Sequence, residues 1–85
     1  MDFIKVGKIT HFYDKIGVAV LVVTDETIKE GDKIRIGEAE SGIEQSVDSM
    51  QFDHKPISEA KKGDEVGLKV ISAVKEGDIV YKISE

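Results

Sequence analysis

The stretch Ile16-Gly17-Val18-Ala19-Val20-Leu21-Val22-Val23 decides how the chain folds. Its unbroken apolar part, Val18 to Val23, is about a third of a membrane span, too short to cross a bilayer as a helix. Rich in β-branched valine, it reads as a strand. Both of its faces are apolar, so one is buried and the other is either covered or open to a partner. Upstream, Ile4 and Val6 alternate with polar residues until Ile9 falls out of phase, and the slip lies across Gly7-Lys8. A glycine at a phase slip predicts a β-bulge. Residues 3–12 are therefore the expected partner strand, joined through Asp14-Lys15 as a hairpin.

Period-two alternation continues downstream. Ile34 and Ile36 alternate with Lys33 and Arg35, Val66, Leu68 and Val70 with Gly67 and Lys69, and Ile79, Tyr81 and Ile83 follow. A second slip, between Val47 and Met50-Gln51-Phe52, suggests another bent strand across Asp48-Ser49. No window holds the i, i+3, i+4, i+7 pattern of an amphipathic helix. One phrase recurs before three of these strands: Ile28-Lys29-Glu30-Gly31-Asp32, Ala60-Lys61-Lys62-Gly63-Asp64 and Val74-Lys75-Glu76-Gly77-Asp78. Glycine supplies a backbone angle costly to other residues and aspartate bonds its own backbone, so each phrase predicts a turn that launches a strand. Phosphate cradling would need a helix N-terminus after the glycine, and none is expected.

The 85 residues form one domain, 1–85, too short to divide into two cores. Cysteine is absent, so no disulfide reinforces the core, and no basic, apolar leader is apparent. A cytoplasmic location is expected. Asparagine is absent while lysine and glutamate are plentiful, a composition that fits a thermophile. Twelve Lys and Arg against seventeen Asp and Glu give a net charge of −5. No basic residue lies between Arg35 and Lys55, which disfavours autonomous binding to nucleic acid.

Catalytic chemistry finds little support. Nucleophilic catalysis needs a Ser, Cys or Thr beside an oriented base, and no serine here occupies a Gly-x-Ser-x-Gly elbow. The expectation is no enzyme, no cofactor and no nucleotide hydrolysis, since P-loop and dinucleotide glycine motifs are missing. His11 and His54 with Asp14 and Asp53 could meet around a metal, but their spacing follows no ligand pattern, and two solvent-facing histidines are expected instead. At the hairpin tip, His11-Phe12-Tyr13-Asp14-Lys15 sets two aromatic rings beside a cation. They could stack on a base or peptide, or one ring could close the end of the core.

Val6-Gly7-Lys8-Ile9-Thr10, Lys15-Ile16-Gly17-Val18-Ala19-Val20 and Ile28 to Ile36 together resemble the second domain of translational GTPases, as in elongation factor Tu. Val47-Asp48-Ser49-Met50-Gln51, Ile57 to Leu68 and Val74 to Val80 resemble the C-terminal barrel of bacterial initiation factor 2. The resemblance implies an all-β fold, a small closed or nearly closed antiparallel six-stranded Greek-key β-barrel. It implies a non-catalytic binding module contacting the ribosome or a translation protein, with Phe12, Tyr13, Lys15, Met50, Phe52, Val66 and Gly67 as the contact surface. Those families' RNA-facing groups are replaced here by Leu21-Val22-Val23 and Gln51-Phe52-Asp53-His54, so direct nucleic-acid binding is expected to be weak or absent. The same barrel type is also similar to the C-terminal domain of certain collagenase-like peptidases. That likeness implies a second reading, an accessory protein–protein module for an enzyme. Its contact would be the face of Ala19, Leu21 and Val23 or that of Val18, Val20 and Val22. A third reading, from the translation-factor resemblance, is a weak tRNA-end binder, disfavoured by the acidic stretch from Glu38 to Asp53.

Overall fold

Strand follows strand along the whole described chain, as the period-two alternation requires. A computed structural model describes residues 2–37, 42–52 and 55–84. Its strands are β1 (Asp2–Tyr13), β2 (Val18–Val23), β3 (Ile28–Lys29), β4 (Lys33–Gly37), β5 (Ile43–Ser46), β6 (Met50–Phe52), β7 (Lys55–Ile57), β8 (Glu59–Ala60), β9 (Glu65–Lys69) and β10 (Ile79–Ser84). Eight of them form one antiparallel sheet in the order β5-β4-β10-β1-β2-β9-β6-β7, and β3 pairs separately with β8.

The all-β antiparallel expectation holds, but the strand count and closure differ from it. The sheet has eight strands rather than six, and it curls into a half-barrel in which β5 and β7 are not paired with each other. A side chain bridges part of that opening. Buried Gln45 on β5 donates from Nε2 to the Lys69 carbonyl at 2.9 Å and accepts from the Ile71 amide at 3.0 Å. The second expected bend is a break instead. Residues 47–49 leave the ladder, so β5 pairs with β4 while β6 pairs with β9 and β7.

The first bend is real. The β1–β10 register shifts between Lys5 and Gly7, and a Cβ on Gly7 would lie 1.9 Å from the Val22 carbonyl oxygen. Only glycine lets the two backbones approach this closely. A second shift, between Ile9 and His11, lets the twelve-residue β1 serve β10 with one half and β2 with the other.

Inward positions build one core. Ala19, Leu21 and Val23 are fully buried, together with Val6, Ile9, Ile34, Ile36, Leu68 and Val80. Each large aliphatic among them contributes about 1.5–3 kcal/mol by leaving water. The outward positions of β2, Val18, Val20 and Val22, are only half-buried.

The recurring phrase forms three equivalent turns. Gly31, Gly63 and Gly77 have φ of 93°, 96° and 90°, the left-handed angle of the third residue in a type II turn. In each, the aspartate carboxylate accepts from the lysine amide three residues earlier, at 2.8, 2.9 and 2.9 Å. Each turn also grips a buried residue of a distant segment. The glycine amides donate to the carbonyls of Val47, Val23 and Ile9, and the amides of those residues donate to the carbonyls of Asp32, Asp64 and Asp78. Six main-chain bonds of 2.6–2.9 Å thus place three turns against three core residues.

Candidate functional site

Exposed apolar side chains gather at the β1–β2 hairpin. Tyr13 is 49% exposed and Ile16 66%, and Ile71 stands nearby at 69%. The Ile16 amide bonds the Tyr13 carbonyl at 3.3 Å and Gly17 takes φ of 64°, so the tight turn holds both residues clear of the core. On one side of this tip a groove of about 290 Å³ is lined by Tyr13, Ile16, Val18, Val20, Gln51, Glu65, Val66 and Gly67. It continues toward Ser49 and Lys69 as a second hollow of about 250 Å³. On the other side Phe12 and the segment 70–73 enclose about 280 Å³.

Cross-strand register explains the groove. Val18 pairs with Lys69, Val20 with Gly67 and Val22 with Glu65. The floor is therefore β2 valines beside a glycine, with a lysine at one end and a glutamate at the other. A Cβ on Gly67 would lie 3.4 Å from Val18 Cγ1, so the missing side chain opens the floor.

Of the residues expected at the contact surface, the structure brings Tyr13, Val66 and Gly67 together at this groove. Lys15 is exposed at the tip, and Phe52 is exposed at the far end of β6. Phe12 is half-buried and packs against the core. The side chains of Met50 and Val66, at 1% and 2% exposure, turn into the core, so Val66 borders the groove with its backbone and Met50 presents almost no side chain to a partner. Their place follows from phase, since Met50 lies opposite inward-facing Leu68 and Val66 opposite inward-facing Leu21. Ile16, Gln51, Glu65 and Lys69 were not foreseen. Ile16 stands in the apolar run, whereas the others emerge only once β9 is registered against β2 and β6.

His11 is solvent-facing; its Nδ1 lies 3.1 Å from the Thr10 carbonyl oxygen and 3.8 Å from Glu76, and its ring centroid is 5.2 Å from that of Tyr13. Asp53 and His54 lie outside the described residues. Among the described residues, no three metal-ligating side chains gather, and no helix is long and apolar enough to cross a membrane. The β4–β10–β1 outer surface is mixed: half-buried Phe3, Ile79, Tyr81 and Ile83 share it with Lys5 and Arg35, and Arg35 pairs with Glu44 and stacks over Phe3 at 5.1 Å.

No established protein-family model matches the chain. It is 41% identical over 83 residues, 96% of its length, to the uncharacterized protease MJ0090 of Methanocaldococcus jannaschii, and it spans 20% of that protein. Its fold is that of the C-terminal domain of a Geobacillus thermoleovorans protein assigned to the U32 peptidases. The TM-score is 0.83 at 15% identity, covering 93% of this chain and 91% of that domain. The selenomethionine form of that domain matches with a TM-score of 0.80 at 16% identity, covering 94% and 98%.

These likenesses overturn the translation-factor reading and its ribosomal contact. The residues that carried it were turn glycines and strand cores, and the three docked turns show why. They serve the half-barrel itself, whatever that half-barrel binds.

Proposed function

We propose that the chain is a non-catalytic accessory domain of a U32 protease-like protein, acting by contact with protein rather than by chemistry on a substrate. The observation that carries this is the 41% identity over almost the whole chain to one fifth of a protease. An apolar groove with few charged groups suits a protein surface, whereas phosphate recognition calls for a basic one. The domain takes no metal or cofactor and contributes nothing to nucleotide hydrolysis. It works either within the same polypeptide as a protease body or beside it.

The test replaces the matching 83-residue segment of the Methanocaldococcus protein with this chain. The chimera keeps the thermal midpoint and the peptide hydrolysis of the parent, while deleting the segment lowers either the midpoint or the rate at least about tenfold. A deletion that changes neither overturns the accessory role. Peptide hydrolysis by the purified chain alone overturns its non-catalytic character.

A further inference from the structure

We propose that the outer face of β2 and β9 is self-complementary and pairs two copies of this chain face to face. The cross-strand partners define three rows on this face. Lys8, Val22 and Glu65 form the first; His11, Val20, Gly67 and Gln51 the second; Tyr13, Val18 and Lys69 the third. A two-fold axis lying in the contact plane along the middle row exchanges the outer two. Glu65 then faces Lys69 of the second copy, Val22 faces its Val18, and Lys8 comes over its Tyr13. Each pairing occurs twice, as an isologous contact demands.

The chemistry of each pair is favourable. Two glutamate–lysine contacts flank an apolar centre, and a lysine over a tyrosine ring adds a cation–π contact. The axis along the middle row gives both Glu65 and Lys69 an opposite charge: one along β9 would set Glu65 against Glu65 and Lys69 against Lys69, and one along β2 would set Glu65 against Lys8 and leave Lys69 facing Tyr13 with no carboxylate. Gly67 lies on the favoured axis with no side chain, so the two floors can approach there. Stacking β-faces through inward valines is the arrangement of a sandwich interior. The patch has about ten residues a side, fewer than the roughly 20–30 of a stable complex, so the dimer dissociates in the range of about 10 µM to 1 mM.

Sedimentation equilibrium of the whole chain from about 10 µM to 1 mM tests this pairing. The expected mass rises from monomer to dimer, and E65K or K69E alone weakens association at least about tenfold by setting like charges together. Both positions are exposed, so both variants keep the wild-type circular dichroism. An equimolar mixture of E65K and K69E associates at least as tightly as wild type, because both contacts are again lysine against glutamate. On dilution, NMR amide shifts of the wild type move at Val18, Val20, Val22 and Gly67. Monomer mass up to 1 mM, indifference to both charge reversals, a mixture no tighter than its components, or shifts confined elsewhere would each overturn the pairing. None of these results bears on the accessory role, which the chimera tests separately.

Discussion

The three lysine-to-aspartate turns and the β1–β2 hairpin end are both short exposed connections, yet they are built on opposite principles. In the turns, the glycine and aspartate amides, the aspartate carbonyl and the aspartate carboxylate are all engaged, to their own backbone or to a buried residue across the fold. At the hairpin end, Tyr13 and Ile16 stand in water with no interior task, above half-buried valines. A repeated polar phrase here marks architecture. An apolar cluster left outside by a small chain, which needs every apolar residue it can bury, is the feature on which the proposed contact rests.

The contrast can be attacked first where the frame is tightest. Gly7→Ala has no room beside the Val22 carbonyl, so the strands must part, and a loss of about 3–5 kcal/mol in urea denaturation is expected. A loss below about 1 kcal/mol would mean that the bulge yields. Next comes the two-faced strand. Leu21→Ala costs about 3 kcal/mol by leaving a cavity, whereas Val20→Ala on the outer face costs under about 1 kcal/mol and weakens self-association. Equal losses in stability would erase the distinction between the faces. The finest test concerns the turns. Asp32→Ala, Asp64→Ala and Asp78→Ala each remove one carboxylate–amide bond of 2.8–2.9 Å, and each lowers stability by about 1 kcal/mol. A spread above about 1 kcal/mol among the three breaks their equivalence.

Strand phase and turn chemistry were legible because each is local. The Val66-Gly67-Leu68 alternation already set Val66 inward and Gly67 outward, and the structure agrees. The place of Val66 and Met50 on a contact surface came from the family likeness, and both side chains turn into the core, so Val66 meets the groove only through its backbone. The strand count was not legible: β3 and β8 have two residues and β7 three, too few to display any period. The groove was legible by half. An apolar run with two apolar faces announced the valines, but Glu65, Gln51 and Lys69 join them through register, which depends on strands far apart in sequence.

The position of β10 bears on how the chain assembles. It is the last strand described, yet it lies inside the sheet between β4 and β1. Until Ile79–Ser84 has been synthesised, β5-β4 and β1-β2-β9-β6-β7 are two fragments with no common ladder, and both keep raw edges that invite pairing with other chains. Folding is therefore late and all-or-none, limited by contacts between remote segments, and a nascent chain halted before β10 is the form most exposed to aggregation.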